Sequence, residues 1–260
     1  MKNEFKNKNK QIGILLTNLG TPDSPTAKGL KKYLNEFLMD RRVVDLPRIF
    51  WVPLLKLIIL NVRPKKSAKI YKAIWTNDGS PLLSFSKSIL QELTSIFKEI
   101  DTNITLEIGM RYGNPSIKDA LNNFKEKTIS KILVLPLYPQ AGSPTTTSTF
   151  DAINAHITDQ SWVPNIRFVA GYHDNKDYIE CLSKSIKNSF SKHGKPDKLI
   201  FSYHGMPERY LHEGDPYYCF CHKTTRLVAE KLSLDSDLYD MAFQSRFGYE
   251  KWLQPYLDDM

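Results

Sequence analysis

The residues best suited to chemistry follow a short apolar run in the second half of the chain. The run Leu199-Ile200-Phe201 leads into Ser202-Tyr203-His204-Gly205, and Met206-Pro207 then turns the chain. This pattern predicts a buried strand with His204 at its carboxyl end, and ligands bind at the carboxyl ends of strands in open parallel sheets. An imidazole there can accept a proton near neutral pH or bind a divalent transition metal. Taken alone, a histidine at a strand end is more often structural than functional.

The pattern of the whole chain predicts the sheet that such a strand needs. Strand-like apolar runs alternate with helical patterns, which is typical of an α/β protein whose parallel strands are covered by helices. Strands are predicted over residues 12–16, 104–110, 132–137, 166–170, 198–203 and 238–243. Helices are predicted over residues 26–39, 83–99, 116–125, 151–157, 175–192 and 222–232. We therefore expect two similar Rossmann-like lobes with a boundary near residue 170.

The composition suits a globular protein of a reducing compartment. Hydrophobic residues make up 41% of the 260 residues, which is enough for an ordinary core. The three cysteines, Cys181, Cys219 and Cys221, are too few for a disulfide framework, a four-ligand zinc site or an iron–sulfur cluster. The opening residues 1–10 are polar and basic, so we expect a disordered tail there and no signal peptide.

The formal net charge is +8, which favours nucleic acid, anionic lipid or an acidic substrate as a partner. No nucleic-acid motif accompanies the charge, and no Walker-type phosphate loop is present, so we expect neither nucleic-acid binding nor ATP coupling. A dicarboxylate substrate accounts for the charge economically, and general solubility accounts for it equally well. The other histidines are irregularly spaced and are expected to face solvent.

Short motifs along the chain resemble those of one enzyme family. The stretch from Ser202 to Arg209, followed by Gly214-Asp215-Pro216-Tyr217, closely resembles the histidine signature of the ferrochelatases, which insert ferrous iron into a porphyrin. Further blocks match in the same order, and the resemblance covers the chain from about residue 11 to residue 258. These blocks are residues 15–22, 37–47, 63–68, 79–82, 110–113, 136–140 and 243–248.

The resemblance implies a chelatase fold, with Rossmann-like lobes over residues 11–170 and 171–260. It implies the last step of haem synthesis, in which Fe²⁺ and protoporphyrin IX give protohaem and two protons. His204 is then the catalytic residue and the ligand of ferrous iron, which is a substrate, and no organic cofactor is needed. The resemblance also implies a cytoplasmic enzyme and leaves a peripheral membrane contact open. A coproporphyrin or cobalt chelatase and a non-catalytic porphyrin- or haem-binding protein are the alternatives.

The resemblance further implies porphyrin-binding residues at the ends of other strands. Arg111 is expected to hold a propionate by paired hydrogen bonds, and Tyr112 to offer an aromatic face and a hydroxyl group. Both are placed just after the strand that is predicted to end at Met110. The other substrate-binding candidates also lie at predicted strand ends: Asn18, Leu19, Tyr138, Gln140, Gln244 and Ser245.

The most apolar part of the chain is residues 46–62, which is too short to span a membrane. It is either a helix packed into the core or an exposed apolar lip over a flat substrate, with a bilayer as a further contact. The resemblance favours the lip. The hydroxyl-rich run over residues 143–149 is interpreted as a helix start.

In the ferrochelatase family the chain continues beyond the block at residues 243–248. It adds a further strand, a glutamate that faces the histidine across the cleft, and a closing helix. Because this sequence ends at Met260, we expect that glutamate to be missing, and we expect the 260-residue chain to bind porphyrin weakly and turn it over little. A fragment and a natural truncation both remain open.

Overall fold

The computed structural model of the chain describes residues 11–260, and the basic tail expected over residues 1–10 lies outside them. The chain divides into two compact units near residue 170. The first contains the described residues up to Leu137 and Pro144–Ala170, and the second contains Tyr138–Ser143 and Gly171–Met260. The short segment Tyr138–Ser143, which the predicted lobes assign to the first, therefore belongs with the second unit.

The first unit is built on a parallel sheet of four strands in the order β2-β1-β3-β4. The strands are β1 (Ile12–Thr21), β2 (Ile104–Gly113), β3 (Lys131–Pro136) and β4 (Asn165–Phe168). Leu15 and Leu16 of the central strand β1 point to opposite faces, and both are fully buried. This is why the strand reads as a continuous apolar run, as expected for a parallel strand covered on both sides.

Two of these strands extend further than their apolar runs predict. Strand β1 continues to Thr21 and β2 to Gly113, and the register between them keeps Asn18 opposite Met110 and Gly20 opposite Tyr112. The expectation that Arg111 and Tyr112 follow the strand is therefore wrong, because both lie within β2. Polar side chains near the carboxyl end of a strand interrupt the apolar run without ending the backbone pairing.

Helices cover both faces of this sheet. They are α1 (Ala27–Met39), α2 (Arg48–Leu54), α3 (Leu60–Ile74), α4 (Pro81–Ile100), α5 (Ile117–Glu126) and α6 (Ser148–Thr158), with π-helical turns over Leu55–Ile59 and Ser143–Thr147. On one face, Leu15 packs with Phe124 of α5 and Ile153 of α6. On the other face, Leu16 packs with partly buried apolar side chains of α4.

Helix α5 begins where the sequence predicts, because its first turn is capped on both sides. The Ser116 hydroxyl accepts a hydrogen bond from the backbone N–H of Asp119 at 3.1 Å, and the Asp119 carboxylate accepts one from the backbone N–H of Ser116 at 3.2 Å. This reciprocal pair satisfies two amide groups that a helix start leaves unpaired. Helix α1 is capped similarly by Thr26, whose hydroxyl accepts from the Gly29 backbone N–H at 3.2 Å.

The apolar segment over residues 46–62 packs on one side and is exposed on the other. Trp51, Leu55 and Leu60 are buried in a cluster with α1, and the Trp51 indole donates to the carbonyl oxygen of Leu38 at 2.7 Å. The opposite side forms the apolar lip, a name used here for the exposed residues Ile49, Phe50, Leu54, Leu57, Ile58 and Val62. The interpretation as a core helix therefore describes the buried face, and the interpretation as an exposed apolar lip describes the opposite face. Contact of the lip with a substrate or a bilayer stays a prediction.

The second unit contains two parallel strands, β5 (Leu199–His204) and β6 (Tyr239–Gln244). The expectation that β5 is buried is wrong, because its residues alternate between half-buried and exposed and Ile200 is 44% exposed. Its helices are α7 (Lys176–His193), α8 (Glu208–His212) and α9 (Tyr217–Leu232). Helix α9 begins five residues earlier than the predicted start at residue 222, so Tyr217 is its first residue rather than part of a loop. The short helix α8 was not predicted from the sequence.

Among the described residues, no helix combines the length and the apolar character that crossing a bilayer requires.

Gly20 provides a test of the β1–β2 pairing. Its φ is +102°, and a Cβ added there would lie 1.8 Å from the carbonyl oxygen of Tyr112. Gly194 is a matched control, because its φ is +88° but a Cβ there would meet nothing within 4 Å. We expect Gly194→Ala to lower the free energy of unfolding by about 1 kcal/mol, and Gly20→Ala by about 3 kcal/mol or more. Equal losses in urea denaturation would contradict the close approach of the two strands.

Candidate functional site

His204 is the last residue of β5, and its imidazole is exposed at the carboxyl end of the two-stranded sheet. Its Nδ1 lies 2.7 Å from the carbonyl oxygen of Gly205. Because a carbonyl oxygen can only accept a hydrogen bond, Nδ1 must carry the proton in this contact. In the neutral ring, Nε2 therefore holds the free lone pair, and this nitrogen can accept a proton or bind a metal ion.

The backbone of His204 is held by Tyr217 of α9. The Tyr217 hydroxyl donates to the carbonyl oxygen of His204 at 3.0 Å. Burial raises the pKa of Tyr217 well above its ordinary value, so this hydroxyl stays protonated and remains a donor. The carboxylate of Asp215 accepts the Tyr217 backbone N–H at 2.9 Å and the Ser143 backbone N–H at 2.6 Å. The residues that follow β5 are thereby fixed to the segment Tyr138–Ser143.

Gln244 and Ser245 lie at the carboxyl end of β6, which is the strand end that the sequence predicts. Gln244 ends β6 in direct register with His204, and its carbonyl oxygen accepts the Gly205 backbone N–H at 2.7 Å. Aligned residues of neighbouring strands are about 5 Å apart, so the imidazole and the Gln244 amide share one edge of the sheet. Ser245 follows with φ +71°, and both side chains are exposed.

Trp252 packs against the turn that follows β5. A Cβ on Gly205 would lie 2.9 Å from the Gln244 carbonyl oxygen and 3.0 Å from the Trp252 ring, so only glycine fits between them. Trp252 is itself 6% exposed, and the next residue, Leu253, donates its backbone N–H to the carbonyl oxygen of Met206 at 2.8 Å. The indole is thus part of the support of the turn after β5.

Tyr138 and Gln140 follow the end of β3, as the sequence predicts, and they belong to the second unit. The Gln140 amide donates to the Thr224 hydroxyl of α9 at 3.0 Å, and Thr224 in turn donates to the carbonyl oxygen of His173 at 2.8 Å. The amide nitrogen of Gln140 is thus bonded within the second unit, and its contact with a substrate stays a prediction. Tyr138 is half-buried in the same unit.

In the first unit, Arg111 and Tyr112 converge on one buried carboxylate. Asp40, which follows α1, accepts hydrogen bonds from the Arg111 guanidinium, from the Tyr112 hydroxyl at 2.7 Å and from the Ser148 hydroxyl at 2.5 Å. Its other oxygen accepts the Arg42 backbone N–H at 2.7 Å. The Asp40 side chain is only 7% exposed. This cluster ties the end of α1 to β2 and to the start of α6.

The ionised form of Asp40 is stabilised by these donors. Burial alone would raise the pKa of the carboxyl group, but hydrogen bonds from Ser148, Tyr112 and the Arg42 backbone, together with the Arg111 charge, outweigh it. The pKa of Asp40 is therefore held below its ordinary value. The buried charge is fully paired, which is the condition under which such a group is tolerated.

The substrate-binding roles expected for Arg111 and Tyr112 stay predictions, and both side chains bind partners within the first unit. The Nε of Arg111 donates to the Ser148 hydroxyl at 2.6 Å, and its Nη2 contacts Asp40. Tyr112 is 1% exposed and packs edge-on against Phe37 of α1, with ring centroids 5.1 Å apart. Its face and its hydroxyl are both engaged within the first unit.

Asn18 and Leu19 lie inside β1, and neither ends the strand. The Asn18 amide donates to the Ser86 hydroxyl of α4 at 3.1 Å, and its side-chain oxygen accepts the Leu19 backbone N–H at 2.8 Å. Leu19 packs against the cluster that contains Tyr112. Both side chains are partly buried, and the Asn18 amide is hydrogen-bonded to a protein partner.

Asp40 and Ser148 were missed as members of this cluster. Asp40 lies in a block that carries the family resemblance, and Ser148 lies in the hydroxyl-rich run that was interpreted as a helix start. That run is itself helical, and the Ser148 hydroxyl is used by Arg111 and Asp40. No pattern within a short window joins residues so distant in sequence.

Two further observations concern possible metal ligands. Burial raises the pKa of the Cys221 thiol to about 12, so it remains a neutral thiol and a poor ligand. His173, expected to face solvent, stacks on Phe220 with ring centroids 3.6 Å apart, and burial lowers its pKa. Over residues 11–260, no group of three or more histidine, cysteine, aspartate or glutamate side chains is arranged to hold a metal ion.

Comparisons with known proteins agree on one family. The family model described as Ferrochelatase matches residues 11–260. A curated "Ferrochelatase 2" of Shewanella oneidensis is 51% identical over 248 residues, which cover 95% of this chain and 76% of that protein. "Ferrochelatase" of Marinobacter nauticus is 49% identical over 254 residues, covering 97% of this chain and 69% of that protein. "Ferrochelatase" of Idiomarina loihiensis is 49% identical over 249 residues, covering 95% and 68%.

The Asp40 cluster predicts a large and pH-dependent loss of stability for Asp40→Asn. The amide keeps the shape but leaves the Arg111 charge without its buried partner, so we expect a loss of about 3 kcal/mol at neutral pH. Because the folded-state pKa of Asp40 is lowered, its contribution is present above the ordinary carboxyl pKa and disappears as the pH falls through the folded-state value. The difference between variant and wild type in urea denaturation should therefore shrink in acid.

The control is Asp151→Asn, which removes an ion pair with Arg42 at 2.7 Å whose side chains are 42% and 44% exposed. Exposed pairs contribute little, so this variant should lose no more than about 1 kcal/mol. Equal losses for the two variants, or a loss for Asp40→Asn that is independent of pH, would contradict the role given to the buried carboxylate.

Proposed function

We propose that this chain, which belongs to the ferrochelatase family, inserts ferrous iron into protoporphyrin IX at the strand end that carries His204. The product is protohaem, and the reaction is the last step of haem biosynthesis. The observation that carries the proposal is the orientation of His204, whose Nδ1 is bonded to the Gly205 carbonyl oxygen at 2.7 Å and whose Nε2 is left as a base or ligand on an exposed edge.

Metal insertion sets three chemical requirements. The macrocycle must be held so that its pyrrole nitrogens are accessible, two N–H protons must leave, and hydrated iron must lose part of its water shell. Only contacts that are stronger in the transition state than in the ground state accelerate these steps. An apolar surface that binds the body of the porphyrin can supply the binding energy, and a base at the reacting nitrogens accepts the protons.

We assign the base or ligand role to Nε2 of His204. Accepting a pyrrole proton and binding Fe²⁺ both need an unprotonated nitrogen, so both roles predict that activity is lost as the imidazole becomes protonated in acid. Iron sites of this kind usually combine imidazole with carboxylate ligands, and one imidazole is a weak site by itself. We therefore treat His204 as one member of the donor set for iron.

Gln244 and Ser245 extend the proposed site along the same edge. Gln244 is paired with His204 across the two strands, Ser245 follows it, and both side chains are exposed. Such groups can hydrogen-bond the water molecules that accompany hydrated iron, which favours ordered rather than random loss of water. Arg111, Tyr112 and Gln140 have polar groups engaged within their own units, and we propose that they also support the site through these contacts.

The apolar lip suits a contact with a membrane surface. Phe50, Leu54 and Leu57 recur at helical spacing, and Phe50 and Leu57 are 75% and 72% exposed. Lys56 and Arg63 are exposed on the same stretch and can pair with anionic headgroups. We propose that the lip binds the bilayer peripherally. We propose the cytoplasmic side of the membrane because the three cysteines are free, which is usual in a reducing compartment.

The test of the catalytic proposal is His204→Ala, matched with His212→Ala. His212 is an equally exposed histidine on α8, and it is bonded to no part of the proposed site. Because slow turnover is expected of the 260-residue chain itself, the variant is compared with that basal rate. We expect His204→Ala to lower the rate of anaerobic iron insertion by at least about 100-fold, the range for loss of a general base, and to leave porphyrin binding nearly unchanged. His212→Ala should behave as wild type.

Iron insertion is measured by the decay of porphyrin fluorescence, and porphyrin binding is measured by the quenching of tryptophan fluorescence. Near-normal insertion by His204→Ala would refute the role of the imidazole. Tight porphyrin binding with no insertion by the wild-type chain would instead favour the non-catalytic binding protein.

The lip is tested by the double variant Phe50→Ser with Leu57→Ser. Removing two large apolar side chains from a membrane contact should weaken sedimentation with vesicles that contain phosphatidylglycerol by at least about tenfold. Phe85→Ser on α4 is the control, because Phe85 is 71% exposed but lies outside the lip. Equal vesicle binding by the double variant and the wild type would exclude the lip as the membrane contact.

A further inference from the structure

A cavity of about 380 Å³ opens at the amino-terminal end of β3, within the first unit. Its walls come from α5, from the start of β3 and the residues that lead into it, from the last turn of α6, and from the segment between α6 and β4. The strand ends here are opposite to the carboxyl ends, where parallel sheets usually bind their substrates. Within the first unit, the cavity therefore lies at the opposite end of the sheet from the carboxyl ends of its strands.

The floor of this cavity is apolar and well ordered by packing. Leu121, Ile129 and Ile132 line it and are 5%, 3% and 4% exposed, and they belong to the core on that face of the sheet. Trp162 lies at the mouth with 62% of its surface exposed. A volume near the lower end of the range for ligand pockets, with an indole at the entrance, suits a flat body of one or two fused rings.

The polar groups of the cavity are basic or hydrogen-bonding. Lys125 and His156 both line it, and the Nε2 of His156 lies 3.1 Å from the Gln160 amide. The charges that act on His156 are the cations Lys118 and Lys125 and the single carboxylate Asp159. Two cations against one anion leave an excess of positive charge beside an apolar floor.

We infer that this cavity binds a small amphipathic anion, such as an aromatic carboxylate, with its ring on the apolar floor and its acidic group at Lys125 and His156. The ring would replace water on Ile129, Ile132 and Trp162, which is favourable in proportion to the apolar area covered. The carboxylate would receive charge-assisted hydrogen bonds from the lysine and the imidazole.

The proposal has a defined pH dependence. Burial and the charges of Lys118 and Lys125 lower the pKa of His156, so the free protein holds this ring neutral near neutral pH. A bound carboxylate favours the protonated ring, and binding is then linked to proton uptake. Affinity should rise as the solution is made mildly acidic, provided that the probe itself stays ionised.

The experiment uses naphthalene-2-carboxylate and its neutral analogue naphthalene-2-carboxamide, titrated into the whole chain by calorimetry. We expect saturable binding of the carboxylate at one site, tighter at mildly acidic than at mildly alkaline pH. Trp162→Ala should weaken both probes by about tenfold, since it removes apolar contact. Lys125→Gln should weaken the carboxylate by about two- to fivefold and leave the carboxamide unchanged.

Phe85→Ala is the control for adsorption to exposed apolar surface, because Phe85 is 71% exposed on a different helix. Thermal unfolding of each variant establishes whether it is folded. If Trp162→Ala is not folded, the surface variant Lys125→Gln still tests the proposal. Absence of saturable binding, equal effects of Trp162→Ala and Phe85→Ala, or an affinity for the carboxylate unaffected by Lys125→Gln would each overturn the assignment.

Discussion

Both faces of the central strands are covered, and this burial constrains where polar chemistry can occur in the molecule. A parallel strand between two layers of helices must be apolar along most of its length, as Leu15 and Leu16 of β1 are. In β1 the polar side chains Thr17, Asn18 and Thr21 accordingly lie in the carboxyl half of the strand. Most polar side chains in such positions find protein partners or face solvent. Asn18 and Arg111 bind protein partners, and His204 faces solvent.

The buried carboxylate of Asp40 shows how many partners a buried polar group needs to offset its loss of hydration. Its desolvation is offset only because donors from three separate parts of the chain converge on it. Such a group adds little net stability compared with a well-packed apolar substitute, but removing one partner leaves a charge without compensation. The cluster therefore restricts which arrangement of α1, β2 and α6 is acceptable, since a small shift of any of them would leave a donor or the acceptor unpaired.

The sequence predicted the parts of the structure that depend on local patterns. The alternation of apolar strands and amphipathic helices gave the α/β class, and the run before His204 correctly placed that residue at a strand end beside Gln244. The strand limits of β1 and β2 were underestimated because Asn18 and Arg111 look like loop residues to any short-range pattern. Their partners, Ser86 and Ser148, lie far along the chain. Long-range hydrogen bonds of this kind leave no periodic signal.

The hydrogen bond between Nδ1 of His204 and the Gly205 carbonyl oxygen fixes the route by which protons can travel through the ring. With Nδ1 already bonded to a peptide oxygen, a proton must both arrive and depart at Nε2. The imidazole then cannot pass a proton from one nitrogen to the other, as a histidine placed between two acidic groups can. If the ring were to accept both protons of a reaction that releases two, it would be used twice, with an exchange to water between the two events. The exposed position of His204 gives solvent direct access for that exchange.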